Sequence, residues 1–391
     1  MLQLLSRCCL HNGILPSMLC GLPSSLPITT VVSGGEDGTV ISEIFSILSY
    51  ATLSSKDQQT GEKDNFEGRL NNLVFHSCLM LATVAQCLKL TGRNSVLLML
   101  TTSPKKHQHR LSAIANHIAS DDKIEASLQN HSASAMLALA SILALEKGSS
   151  AGSSVSELVV SLIPRATKLC YHLRPMPSNE GEVISHSANY AKWHGLLDGC
   201  IGLLESRLKW GGPLAVQQLI ASGTPLLLIN LLAGKLSNAS PEDIKKTSNR
   251  IGLSPIGVVW TISSICHCLS GGTTFRQVLV KIETMKLITC LLSDAHIKLV
   301  KSWGGPGGGK DGVRETINVI IDLLAFPFVA LQSQPGSLSA TASVNSGFIL
   351  NIGSPGVRVC MEDRDLLKAI EEDMDKYIIV LLEVSSSILF P

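Results

Sequence analysis

Apolar residues recur at intervals of three and four along most of this chain. In "RLNNLVFHSCLMLATVAQCLKL", Leu70, Leu73, Val74, Leu81, Val84, Ala85 and Leu88 hold the spacing that lines one face of an α-helix. The same period runs through "HSASAMLALASILALEKG", where Lys147 and Gly148 signal a helix stop. It continues in "VSELVVSLIPRATKLCYHL", where Pro164 predicts a kink or a split, and in "HSANYAKWHGLLDGCIGLLESRLKW", closed by Gly211, Gly212 and Pro213. Further helices are predicted in "SPIGVVWTISSICHCLSGG", in "TFRQVLVKIETMKLITCLLSDAHIKLVKSW" and in "MEDRDLLKAIEEDMDKYIIVLLEV". No set of alternating strands is predicted anywhere.

Two segments share a scheme. "VQQLIASGTPLLLINLLAGK" reads as a helix, a Ser-Gly break and a Pro-started helix ending in a double Leu. "VLVKIETMKLITCLLSDAH" reads as apolar helix, polar break and apolar residues leading to Leu-Leu-Ser. This resembles the last two helices of an armadillo repeat. A lone helix pair cannot cover its own apolar face, so such units stack and share a core. The predicted fold is therefore all-α, an irregular armadillo/HEAT-like α-solenoid over residues 67–391. Residues 1–66 read as a weakly ordered lead-in, with one helix at 41–53 followed by the polar run "SSKDQQTGEKDNFEG".

Composition narrows the functional classes. Of 391 residues, 45% are hydrophobic, 16% charged and 4% aromatic, which suits close-packed helices better than sheets. Basic and acidic residues number 32 and 31, so net charge is +1. No long-range field draws the chain to nucleic acid or to an anionic membrane, and neither is an expected partner. The eleven cysteines lie mostly in apolar runs, as buried free thiols do, and imply a reducing compartment, the cytosol or nucleus, of which the cytoplasm is the expected location. The Leu-rich start carries Arg7 as its only early positive charge and is broken by Gly13 and Pro16, so secretion is not expected. The uncharged stretches at 251–275 and 323–357 are interrupted by Pro, Ser and Gly and are not read as membrane spans.

One spacing has the look of chemistry. Gly304, Gly309 and Lys310 fit G-x-x-x-x-G-K, the loop that cradles nucleotide phosphates, but Asp311 stands where Ser or Thr should hold magnesium. Such a loop needs a buried, apolar strand before it, whereas "DAHIKLVKSW" continues a helical pattern. The run is read instead as a mobile bend on the solenoid edge. Asp311 is expected as the N-cap of a helix whose apolar stripe is Val313, Ile317, Ile320, Ile321 and Leu324, ending before Pro327.

Other motifs take plain readings. "GSSAG" at 148–152 fits G-x-S-x-G but lacks the strand before the Ser, and is a linker. Cys266, His267 and Cys268 have no second ligand pair, and residues two apart diverge on a helix, so they are core. "DRDLLKAIEED" lacks the His and Asn of a kinase catalytic loop and is an acidic-started helix. His186, Tyr190, Trp193 and His194 read as a half-buried helix face.

Three long runs carry a family resemblance: "SPIGVVWTISSICHCLSGGTTFRQVL", "IKLVKSWGGPGGGKDGVRETINVIIDLLAFPFVALQS" and "SATASVNSGFILNIGSPGVRVCMEDRDLLKAIEEDMDKYI". They resemble the C-terminal region of the plant Fused-type serine/threonine protein kinases. That resemblance implies armadillo/HEAT-like helical repeats, a role in cytokinesis at the phragmoplast, and phragmoplast kinesins or other microtubule-associated proteins as partners. The family's kinase domain is absent from this chain. No catalytic, cofactor-binding or metal residue carries over, and a non-catalytic protein-interaction scaffold is expected. The helix at "KYIIVLLEV" is expected to break at "SSSILFP", which leaves apolar surface uncovered and suggests a chain truncated at both ends. Two other readings stand beside this one. Family membership alone makes the chain a serine/threonine kinase that binds ATP, and truncation makes it a non-functional product.

Overall fold

The computed structural model describes residues 1–21, 39–54, 63–92, 137–142, 197–208, 212–221, 223–232, 253–269, 279–332, 348–349, 358–359 and 364–389. These are overwhelmingly helical, as the periodicity predicts. The one ladder among them pairs Phe348 with Val359 and Ile349 with Arg358, antiparallel. The chain divides into two compact units. One takes Met1–Ser206, Ser254–Gly257 and Ser302–Gly312; the other takes Arg207–Leu253, Val258–Lys301 and Val313–Pro391.

The first unit is built on the helix Lys63–Leu90, which runs through the predicted boundary at residue 66. Val74, Cys78, Leu81, Val84, Ala85 and Leu88 are buried on it. Helices Leu2–His11, Leu15–Leu19 and Val40–Ser54 all pack against it. Its stretch Asn72–Leu90 is long and apolar enough to cross a membrane, yet 72% of it is buried inside the protein, as befits a core helix. Among the described residues of the lead-in, two helices thus precede the one predicted at 41–53.

Polar side chains fix these short helices. Ser6 Oγ donates to Thr83 Oγ1 at 2.9 Å, and Thr83 donates in turn to the Leu79 carbonyl at 2.8 Å, so neither buried hydroxyl is left without a partner. Asn12 Oδ1 accepts from the N–H groups of Ile14 and Leu15, which starts the second helix. Thr39 and Ser42 cap the third reciprocally: Ser42 N–H donates to Thr39 Oγ1 and Thr39 N–H to Ser42 Oγ, each at 3.1 Å. That cap places the helix start one residue before the predicted one.

In the second unit, helices Gly212–Ala221 and Thr224–Leu232 flank Gly223, whose φ of +75° makes the break read in the sequence. In the second segment, non-helical residues 279–281 precede the helix Ile282–Cys290, and a turn at 291–293 separates it from Asp294–Ser302. Helix Pro255–Leu269, whose residues from Val258 onward belong to this unit, is buried on all sides, from Val259 and Trp260 to Cys266 and Cys268.

Two predicted helix ends are corrected. Helix Gly309–Gln332 does not stop before Pro327 but runs through it. Proline withdraws the N–H that would bond the Leu323 carbonyl. Beside that defect, Tyr377 Oη donates to the Leu324 carbonyl at 2.5 Å and its ring meets Phe328 edge-on, with centroids 5.6 Å apart. The neighbouring helix therefore props the turn that the proline weakens. Tyr377→Phe is expected to cost about 1–2 kcal/mol, because the Leu324 carbonyl loses the hydroxyl donor while the ring contact stays. Urea midpoints of the two proteins check this.

The last helix, Arg364–Leu389, likewise passes through the serines expected to end it. Ser385 and Ser386 Oγ each donate back to the carbonyls of Leu381 and Glu383 at 2.8 Å, so their hydroxyls are satisfied within the helix. This helix packs on Ile282–Cys290. The apolar stripe of Gly309–Gln332 is also displaced from the predicted one. Val319, Ile320, Leu323 and Phe326 are buried, whereas Ile321 is 41% exposed.

Candidate functional site

The glycine-rich run is the natural place to look for chemistry. Helix Asp294–Ser302 leads into it, so no strand feeds the loop. The loop folds on itself: Trp303 Nε1 donates to the Pro306 carbonyl at 3.1 Å, and Gly308 N–H donates to the Gly305 carbonyl at 3.2 Å. Helix Gly309–Gln332 starts at once, which makes Asp311 its third residue rather than its N-cap. The acid lies in the first turn, where the helix dipole favours negative charge.

The loop is not an exposed edge. Residues 305–309 are buried, Trp303 and Gly304 are half-buried, and Lys310 is exposed. A Cβ on Gly304 would come 2.9 Å from Arg7 Nε, and one on Gly309 would come 3.2 Å from the Leu10 carbonyl. A Cβ on Gly307 would come 2.6 Å from the backbone nitrogen of Ile256. Gly307 and Gly309 also hold positive φ, +82° and +70°. The glycines let three backbone segments of the first unit approach closely: the loop, the start of helix Pro255–Leu269 and helix Leu2–His11. A phosphate cradle needs its N–H groups open to the ligand, whereas here residues 305–309 are buried and the Gly308 N–H is bonded to the Gly305 carbonyl.

The Cys266-His267-Cys268 run is buried throughout. Burial pushes the Cys268 thiol up to about 12, and Cys266 is raised by burial and by its neighbours Asp322 and Cys268. Thiols held protonated are poor nucleophiles and poor metal ligands. Among the described residues, no three of His, Cys, Asp and Glu stand where they would hold a metal ion. The "GSSAG" motif and His186, Tyr190, Trp193 and His194 lie outside the described residues.

One feature escapes sequence reasoning. Asp198 is fully buried, and its Oδ1 accepts from Ser254 N–H at 3.2 Å, at the start of helix Pro255–Leu269. Burial pushes its carboxyl up to about 8, and Ser254 pulls it partly back. Nothing local marks Asp198, since its partner lies 56 residues away. Asp322 is a second buried acid, pushed up to about 7 by burial.

A second feature is a bare apolar strip on helix Arg364–Leu389, where the sequence expects uncovered apolar surface. Asp373, Tyr377 and Val384 face inward, while Ile378, Ile379 and Leu382 are 37%, 55% and 64% exposed. Beside it a cleft of about 470 Å³ is lined by Val280, Glu372, Asp373 and Lys376, with Lys376 Nζ 3.3 Å from Asp373 Oδ1. No protein-family model and no solved structure matches this chain.

Proposed function

We propose that this chain is a non-catalytic, armadillo/HEAT-like helical-repeat scaffold that acts by binding proteins. Its resemblance to the C-terminal region of the plant Fused-type kinases gives the setting: cytokinesis, in the cytoplasm at the phragmoplast, with kinesins or other microtubule-associated proteins as partners. The observation that carries the reading is the solvent-facing strip of Ile378, Ile379 and Leu382 on a helix anchored by Tyr377. Apolar side chains held outward on a fixed helix offer a partner surface without ordering cost. The closed glycine bend supports the same reading, because it removes the feature that most favours nucleotide chemistry.

The test pairs an affinity pull-down from dividing plant cells, using the full chain, with a calorimetric titration of magnesium-ATP. Recovery of microtubule-associated proteins with no heat of ATP binding is the expected result. Saturable ATP binding that disappears in Lys310→Ala would replace the scaffold with a nucleotide-binding protein.

A further inference from the structure

The charges around the exposed strip say what kind of partner it takes. At 100° per residue, Ile379 and Leu382 lie opposite the buried Tyr377 and Val384, with Ile378 at the border. Asp375 and Glu383 stand one turn to either side of Ile379, and Glu371 one turn beyond Asp375; all three are exposed. The two lysines of this region are already engaged, Lys376 with Asp373 at 3.3 Å and Lys368 with Glu372 at 4.0 Å. Among the described residues, Glu371, Asp375 and Glu383 have no basic partner. Glu371 and Asp375, four residues apart, repel each other along the helix. The free chain thus holds an apolar strip and a run of like charge in water, and both costs fall when an apolar surface flanked by cations covers them.

We propose that this face of helix Arg364–Leu389 docks an amphipathic helix whose apolar stripe is flanked by Lys or Arg. The assignment rests on the scaffold reading and supplies the chemistry of its partner. A second copy of this chain fits less well: it would bring the same carboxylates to the seam, and three side chains fall far short of the ~800 Å² per partner that a stable subunit interface buries. A short basic helix matches the strip in size, pattern and sign.

The probe is a fluorescein-labelled synthetic peptide of about 18 residues, with Leu at helical spacing and Lys on either side. Its controls are a twin with Glu for every Lys and a scramble of the same composition. Anisotropy titrations of the full chain at about 50 and about 500 mM NaCl read both contributions. The Lys peptide is expected to bind and to weaken about tenfold in high salt, and the twin and the scramble to fail. Ile379→Ser with Leu382→Ser is expected to weaken binding at least about tenfold. Glu371→Gln, Asp375→Asn and Glu383→Gln together are expected to remove the salt dependence. Far-UV circular dichroism confirms that these exposed changes leave the helices in place.

Equal binding of the scramble, or unchanged binding by the Ile379→Ser, Leu382→Ser variant, would overturn the proposal. So would sedimentation showing a dimer that this variant dissociates, since a second copy would then be the occupant. Cellular partners recovered equally by wild type and variant would overturn this face and leave the scaffold reading standing.

Discussion

Gly307→Ala is expected to destabilise the protein by about 2–5 kcal/mol, the sum of a strained backbone and an overpacked contact. Its φ of +82° lies where a side chain meets the following carbonyl. The new methyl would also sit 2.6 Å from Ile256 N and 2.9 Å from Ile256 Cα. Both are backbone atoms of a buried helix start, so relief requires moving the helix and not merely turning a side chain. Gly223 separates the two contributions, because its φ is +75° but nothing stands within 4 Å of a Cβ there. Gly223→Ala is expected to cost about 1–2 kcal/mol, backbone strain alone. Lys310→Ala, at the exposed end of the loop, is expected within about 0.5 kcal/mol of wild type. Urea midpoints of the three variants check the ranking. Equal losses at Gly307 and Gly223 would mean that the loop does not press on Ile256. The same experiment bears on function, since a loop closed by packing has no room for phosphate.

The helices were legible because their signal is local. Apolar spacing marked the buried face of 74–88, and the Ser-Gly punctuation marked the real break at Gly223. The ends were less legible, for reasons that are not local. Pro327 breaks an isolated helix, but here the helix continues, and Tyr377 bonds the next carbonyl, Leu324, from 53 residues away. The three serines at 385–387 are poor helix formers, yet Ser385 and Ser386 bond back to carbonyls within one turn. The displaced stripe of Gly309–Gln332 has a similar cause. Glu315, Thr316 and Asp322 are buried beside Val319 and Ile320, and a hydropathy pattern assigns such polar residues to solvent. In the glycine run the sequence does exclude a strand, through the lysines of the preceding helix. It does not reveal what the glycines serve, because Arg7, Leu10 and Ile256 are distant in the chain. The exposed strip at 378–382 falls where the sequence expects uncovered apolar surface, although the expected cause, a helix broken at the serines, is not what leaves it bare.

Stability is expected to fall as pH rises from about 4 to about 8, and Asp198 is a principal cause. Its carboxyl lies near 3.8 in an unfolded chain and is pushed up to about 8 by burial. Between those values the folded protein holds a proton that the unfolded chain releases, so raising the pH favours unfolding. The contribution is complete below the unfolded value and is lost as pH passes through the folded one. One proton of difference corresponds to about 1.4 kcal/mol per pH unit where the two states differ fully. The position of Asp198 explains why the burial is tolerated. Its Oδ1 takes the N–H of Ser254 at the start of a helix whose next residue is Pro255, a donor that would otherwise be buried unpaired. Asp198→Asn keeps an oxygen for that N–H and carries no proton to lose. It is expected to flatten the profile and to stabilise the protein above pH ~8, where the wild type must bury a charge. Asp198→Ala is expected to cost about 1–2 kcal/mol even in acid, because the helix start loses its acceptor. Asp322, pushed up to about 7, adds slope of the same sign, so Asp198→Asn with Asp322→Asn should be flatter than either single variant. Thermal unfolding followed by circular dichroism from pH 4 to 9 decides the matter. An Asp198→Asn profile parallel to wild type would mean that this carboxylate is hydrated and does not bind the helix start as a neutral acid.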